Sequence, residues 1–343
     1  MTLRCYTSFT VAYLAKARVL AESVRRHHPE WEMNALLCEP VPDWFRLEDE
    51  PFDAVVSLED LDIPALAGWV FMHDVVETCT GAKGAALAHL LARPDTDAVV
   101  YLDPDVEVFS RLDAVTDALD AGSIVLTPHQ LRPESNDVGV FENEVTALVH
   151  GVYNLGFLAV AADQQGLDFA AWWRDRLVDY CFDDRMSGLF TDQRWCDLIP
   201  ALFDRHVILR SSSYNVAPWN VGQRSVSRAD DSFVVNDLPL AFFHFSGVDG
   251  EAGRAMLERH GADSAVYELW EQYSTALLKA GQDEIGGWAW PYDRFSDGTP
   301  ITAQMRSCYR HMPEVRAAFA DPFAVDESAP TFLQWWRSAD RSS

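Results

Sequence analysis

Positive charge is scarce in this chain. Its 343 residues hold 27 Lys and Arg against 53 Asp and Glu, a formal net charge of −26. Nucleic acids and anionic membranes are bound through basic patches, so neither is an expected partner. A phosphate-bearing ligand would need local compensation from a bound cation, from a few Lys or Arg side chains, or from helix N-termini. The six cysteines (Cys5, Cys38, Cys79, Cys181, Cys196 and Cys308) include no C-x-x-C pair. Most lie in apolar runs and read as reduced core residues of a cytoplasmic protein. No apolar run has the length of a bilayer span. Residues 1–6 are too short for the apolar region of a signal peptide, so none is expected. Internal repeats and low-complexity segments are also missing.

What remains has the balance of a globular protein, 48% hydrophobic and 23% charged,. The first half alternates strand and helix patterns. Strands are expected near residues 3–6, 33–38, 54–57, 98–102 and 123–127. Helices are expected near 11–28, 73–92 and 112–119. This alternation predicts an α/β sheet, mainly parallel, with helices on both faces. The second half is less regular, with strands near 151–160, 207–209, 233–235 and 240–245. Helices are expected at 167–180 and at 193–203, the latter interrupted by Pro200. After Gly247 the pattern turns helical, and a soft boundary falls near residue 250.

The most informative stretch is Val99-Val100-Tyr101-Leu102-Asp103-Pro104-Asp105. An apolar strand delivers two carboxylates, one residue apart, into a turn stiffened by Pro104. Carboxylates are hard oxygen ligands suited to magnesium or manganese. In open α/β sheets, ligands bind beyond the carboxyl ends of strands. A divalent ion there would hold a diphosphate, although Asp-Pro-Asp is also ordinary turn chemistry. His244 ends the apolar run Phe242-Phe243-His244, and its imidazole would complete an O,O,N site. Asn154 interrupts an apolar strand with an amide that both donates and accepts. Thr191 or Asp192 would cap a helix beginning near Gln193. Lys83 sits among small residues on a helix, where a ligand can approach its charge. The aspartyl-phosphate phosphatase motif also begins D-x-D, but its later Ser/Thr and Lys stations are not evident.

In order along the chain, these features are a strand and loop, a lysine-bearing helix, D-x-D, Tyr-Asn-x-Gly, Asp-Gln, and a late His-x-x-Gly. The set, over about residues 1–250, resembles retaining nucleotide-sugar glycosyltransferases of the GT-A fold, nearest to family 8. The resemblance implies a Rossmann-like α/β catalytic domain over 1–250. A mainly helical extension, 251–343, would follow, with acceptor binding as its candidate role. It implies that manganese(II) or magnesium(II) is held by Asp103, Asp105 and His244, with Asp103 also near the donor ribose. Thr7, Ser8, Ala12 and Tyr13 match the first nucleotide-contacting loop, and Tyr13 would stack on uracil. Lys83 takes the place of a basic residue near the donor. Asn154, Asp192 and Gln193 match residues around the transferred sugar. The implied activity is hexosyl transfer from a UDP-sugar to a glycan or other acceptor, by a front-face route. Asp192 is the alternative nucleophile, and Gln193 would stabilise developing positive charge.

One departure stands out. The family places a phosphate-binding lysine after the late His-x-x-Gly, whereas here the text is Gly247-Val248-Asp249-Gly250-Glu251. Arg254, Lys83 and Arg224 are the candidate substitutes. Two rival readings remain. One is a nucleotidyltransferase acting on sugar phosphates, disfavoured because residues 7–13 are not a Gly-rich basic loop. The other is a carbohydrate-binding protein that has lost catalysis. Trp288, Trp290 and Tyr292 suit either sugar stacking or core packing.

Overall fold

The computed structural model describes residues 1–326 and 330–338. The main sheet contains β1 (Leu3–Phe9), β2 (Glu32–Leu37), β3 (Ala54–Ser57) and β4 (Ala98–Leu102). Strand β5 (Val106–Val108) stands apart from it, and β6 (Ile124–Pro128), β7 (Tyr153–Ala161) and β8 (His206–Ile208) complete it. Their order is β3-β2-β1-β4-β7-β6-β8. Strands β1, β2, β3 and β4 pair in parallel, as do β6 and β8. Strand β7 runs antiparallel to both β4 and β6.

The sheet is therefore mixed, and the cause is local. Strand β6 ends where β7 begins, with Pro128 opposite Tyr153. The chain between them stays at that edge, partly as helical segments over residues 137–150. No crossover returns it to the far end, so β7 must run backwards.

Both faces of the sheet are covered, which is why its strands read as continuous apolar runs. Alternate residues go to opposite faces. Val99 and Tyr101 pack with Trp69, Ala82, Phe169 and Trp173, under the helices Val75–Leu91 and Gln164–Tyr180. Val100 and Leu102 pack with Leu14, Ala17, Val115 and Leu119, from the helices Leu14–His27 and Asp113–Ala121. The helix Val75–Leu91 begins with a capping box, Asp74 accepting from Glu77 N–H at 2.8 Å,. At Gly84 it meets helix Gln164–Tyr180 so closely that a Cβ would lie 2.8 Å from Arg174 Cα.

A second pairing matters more for function. Strands β9 (Val226–Ala229), β10 (Ser232–Val235) and β11 (Leu238–Pro239) form a small sheet. The chain then returns as β12 (Phe242–His244), antiparallel to β5, with His244 opposite Val106. Beyond it the described residues are mainly helical. Trp270, Tyr273 and Leu277 of helix Ser264–Lys279 pack with Val19, Phe243 and Phe245. Helix Ala303–His311 docks through Met305 and Tyr309 onto Phe71. Buried Arg306 donates to the carbonyls of His73 (2.7 Å) and Tyr292 (2.7 Å). Trp290 is core, its Nε1 donating to Cys38 O at 3.1 Å, whereas Trp288 is exposed against Trp44. Cys5, Cys38, Cys79, Cys181 and Cys196 are free thiols, and all but Cys79 are buried. No helix among the described residues is long and apolar enough to cross a membrane.

Candidate active site

Strand β1 lies between β2 and β4, so the chain leaves it in opposite directions. The crevice beyond the carboxyl ends of β1 and β4 is where such sheets bind ligands. The Asp103–Asp105 turn sits there. Its backbone is pinned twice, by Asp103 N–H donating to Gly156 O (3.0 Å) and Phe245 N–H donating to Asp105 O (2.8 Å). The β5–β12 pairing then places His244 Nε2 3.1 Å from Asp105 Oδ1 and 3.8 Å from Asp103 Oδ2. One ligand atom from each of the three residues lies within 4.8 Å of the others. Ligands of a six-coordinate magnesium at about 2.1 Å are about 3 to 4 Å apart, so the cluster needs only a small contraction around an ion. Its hard oxygens and one imidazole suit manganese as well.

Without an ion, the cluster balances itself. Burial disfavours an imidazolium at His244, but Asp105 and Asp103 outweigh it and raise its pKa. Burial pushes the Asp105 carboxyl up, and His244 beside it more than offsets that, holding it below the usual value.

Lys83 lies next to the cluster. It is 3% exposed. Its ammonium donates to Asp103 Oδ1 (3.1 Å) and Leu155 O (3.3 Å), and lies 4.2 Å from the Tyr101 ring centroid. It also forms an ion pair with Asp192 Oδ2 at 2.9 Å. Burial alone would lower its pKa, but Asp103 and Asp192 hold it well above the ordinary lysine value. Asp192 is buried too, and burial raises its carboxyl despite the lysine. Lys83 thus orients two carboxylates. Tyr101 OH donates to the same Asp103 oxygen at 2.5 Å. Thr191, just before Asp192, has φ of 42°, a strained conformation for a β-branched residue,.

Asn154 and Gln193 complete this wall. Asn154 Oδ1 accepts from Gly156 N–H and Asn215 Nδ2, both at 3.0 Å. Gln193 Oε1 accepts from Leu155 N–H (3.2 Å), and its Nε2 donates to His150 O (2.9 Å). The second lone pair of that oxygen is left for a group in the cavity. A cavity of about 930 Å³ opens over Lys83, Asp103, Asp105, Asn154, Asp192, Gln193 and His244. Phe141, Phe190 and Trp219 supply aromatic wall, and Met256, Arg259 and His260 enter it from the helical extension.

The residues expected to form the first nucleotide-contacting loop lie outside that wall, and Thr7 and Ser8 belong to β1 rather than to a loop. Thr7 is fully buried with a hydroxyl that has no partner. Ser8 Oγ donates to Cys79 O at 2.7 Å, which ties β1 to the helix Val75–Leu91. Ala12 is half-buried. Tyr13 is 40% exposed, with Lys16 Nζ 3.7 Å from its ring centroid. The candidate substitutes for the missing lysine are occupied elsewhere. Arg224 is buried and donates to Ser212 O (2.8 Å) and Asn220 O (3.1 Å). Arg254 pairs with Glu271 on the surface at 3.1 Å.

Several site residues escaped the sequence reading. His129 follows β6 and lies 3.2 Å from Asn154 Nδ2; burial lowers its pKa to about 4, so the ring is neutral. It sits at the carboxyl end of an apolar strand, the same signal that marked Asp103. Asn215 and Trp219 come from irregular chain and carried no such signal.

No protein-family model matches the chain. It is 29% identical over 180 residues to YfnF, an uncharacterized protein of Bacillus subtilis (strain 168). That match covers 51% of this chain and 58% of YfnF, so it spans little more than half of the relative. YfnD of the same organism, also uncharacterized, is 23% identical over 251 residues, 72% of this chain and 78% of that protein. Similar solved structures are glycosyltransferases. The galactosyltransferase LgtC, in complex with donor and acceptor sugar analogues, gives a TM-score of 0.46 at 17% identity, covering 76% of this chain and 94% of LgtC. The glycosyltransferase GlyE of Streptococcus pneumoniae TIGR4 gives 0.43 at 16%, covering 86% and 66%.

Proposed function

We propose that this chain is a metal-dependent, retaining glycosyltransferase. It moves a sugar from a nucleotide-sugar donor, a UDP-sugar first, to a glycan or other acceptor. The observation that carries this reading is the Asp103–Asp105–His244 cluster, opening beside a cavity of about 930 Å³ at the carboxyl edge of the sheet. The volume is within the range of small-molecule sites. Manganese or magnesium held by these three residues would supply positive charge to the departing nucleoside diphosphate. Such a cation would offset the negative charge that an acidic chain otherwise turns on a diphosphate,.

The chain's own residues divide the remaining work. Lys83 and Tyr101 fix the Asp103 carboxylate, so the ligand set is pre-organised,. Asn154 and Gln193 line the cavity on the side where a transferred sugar would lie, and Gln193 Oε1 keeps a lone pair for it. Asp192 is 2% exposed and ion-paired with Lys83, which makes it a poor nucleophile. The favoured route is therefore front-face. The acceptor oxygen bonds to the anomeric carbon as the carbon–oxygen bond to the diphosphate breaks. The acceptor proton passes to the leaving oxygen. We assign residues 1–250 to catalysis and 251–343 to an extension that helps bind the acceptor, since Met256, Arg259 and His260 reach the cavity.

A donor screen tests this. Nucleotide sugars are incubated with the protein and manganese, and nucleoside diphosphate release is measured. Release from at least one donor is expected, abolished by EDTA and by Asp103→Ala with Asp105→Ala. Metal-independent release, or none from any donor with or without acceptor sugars, contradicts the proposal. An inverted product anomer contradicts retention.

A further inference from the structure

The chain between β6 and β7 carries a helical rod turned inside out. It runs unbroken from Asp137 to His150, with Val140–Val145 as a π-helical stretch in its middle. Its polar side chains face the protein. Asn143 is 7% exposed, and its Nδ2 donates to Glu134 Oε1 at 2.6 Å. Glu144 Oε1 accepts from Glu134 N–H at 2.7 Å, and Glu142 pairs with Arg259 at 3.3 Å. Its apolar side chains face outwards. Val138 is 61% exposed, Phe141 70% and Leu148 68%, with Val145 and Val149 exposed as well. Val138, Phe141, Val145 and Leu148 stand at i, i+3, i+7 and i+10, the spacing by which an amphipathic helix buries one face,. Contiguous apolar surface left in water marks an interaction site, and π-helical stretches concentrate at functional sites.

The rod's position says what lies on this face. Phe141, Thr146, Ala147 and His150 line the cavity over the Asp103–Asp105–His244 cluster. Phe141 therefore belongs both to the cavity wall and to the outward apolar face. Val76, from helix Val75–Leu91, lines the same cavity and is 58% exposed. Phe190 lines it too, edge-on to His150 with ring centroids 4.6 Å apart. A molecule that reacts in the cavity and extends out of it thus meets apolar surface. Charge narrows the choice of occupant. Residues 137–150 include Asp137, Glu142 and Glu144 and no Lys or Arg. They would repel an anionic membrane surface. A two-fold-related copy of the chain would bring the same three carboxylates against them. An uncharged hydrocarbon chain meets neither penalty. From Val138 to Leu148 a helix rises about 15 Å, which fits an extended chain better than a single ring.

We propose that the acceptor is an amphiphile, whose hydroxyl-bearing head enters the cavity while its uncharged hydrocarbon chain lies along the Val138–Leu148 face. This rests on the transferase reading above and names the class of its acceptor. The chain removes the exposed apolar side chains from water, so affinity grows with chain length until the face is covered.

Calorimetry on the full chain tests it. Methyl, octyl and dodecyl β-glucosides and β-galactosides are titrated below their micelle concentrations, with manganese and UDP present. For at least one sugar, the octyl glycoside should bind at least ~10-fold tighter than the methyl glycoside, and the dodecyl no more weakly than the octyl. Val138→Ser and Leu148→Ser should each weaken octyl binding several-fold and leave methyl binding unchanged. Leu278→Ser, at a position 57% exposed on the helical extension, should change neither. Thermal unfolding checks that each variant remains folded. Equal affinity for methyl and octyl glycosides, no binding of any, or a chain-length dependence that both rod variants keep would overturn the inference and leave the transferase reading standing. A wild-type dimer in sedimentation that Leu148→Ser dissolves would assign the face to a second copy and overturn it too. If the donor screen finds no cleaved nucleotide sugar, the transferase reading falls and the acceptor assignment with it.

Discussion

Replacing Gly156 with alanine should disable the metal cluster from a position that touches no metal. Gly156 lies inside strand β7, where alanine is otherwise acceptable. A Cβ there would sit 2.5 Å from His244 Cε1, 2.6 Å from His244 Nδ1 and 2.8 Å from Asn154 Oδ1. Carbon contacts relax near about 3.5 Å, so the ring must retreat by about 1 Å. Trp219 stands edge-on to it at 5.3 Å, which blocks an easy retreat. Overpacking of this kind costs about 1–3 kcal/mol of stability. The retreat also breaks the 3.1 Å approach of Nε2 to Asp105. Misplacing one ligand of three should lower manganese affinity about 10- to 100-fold. Manganese titration followed by electron paramagnetic resonance measures the affinity, and urea unfolding the stability. In a His244→Ala background the added methyl should cost no further affinity and less stability. A Gly156→Ala protein binding manganese within twofold of the wild type would refute the reasoning.

Three other outcomes follow from the same geometry. Asp103→Asn keeps the side-chain shape but removes a charge, so manganese-dependent donor cleavage should fall at least ~100-fold with an unchanged circular dichroism spectrum. Lys83→Met leaves buried Asp192 without its cation and should cost about 3–5 kcal/mol in urea unfolding, part of it recovered by adding Asp192→Asn. Glu39 is 2% exposed, and burial raises its carboxyl to about 7, against a weaker opposing pull from Val11 N–H. The folded state then holds the proton more tightly than the unfolded one, so this group's contribution is intact below about pH 4.5 and lost as pH rises to about 7. The stability of Glu39→Gln relative to wild type should therefore grow by about 2–3 kcal/mol between pH 4.5 and 8. A flat difference across that range would contradict it.

Much of the site could be read from strand ends. Asp103 and Asp105 follow an uninterrupted apolar run, and such runs mark strands buried on both faces. His244 ends another run, but its meeting with Asp105 depends on β5 pairing with β12 across more than 130 residues of chain. No periodicity encodes such a partner. The direction of β7 was equally hidden, because a strand reads the same either way; only the connection over residues 129–152, which stays at that edge of the sheet, reverses it. Lys83 was legible as a lysine among small residues. Its burial against Asp103 and Asp192 was not, since that follows from helix Val75–Leu91 closing onto helix Gln164–Tyr180 at Gly84. Lys16 gave no signal, being one polar residue on an amphipathic helix until Asp249 is brought beside it.

The central claim is that Asp103, Asp105 and His244 hold a cation for a nucleotide diphosphate. Calorimetry of UDP against the wild type, with manganese and with EDTA, tests it most directly, with Asp103→Ala plus Asp105→Ala as the control. The account predicts binding that needs manganese and disappears in the double variant. UDP binding that survives both EDTA and the loss of the two carboxylates would contradict it.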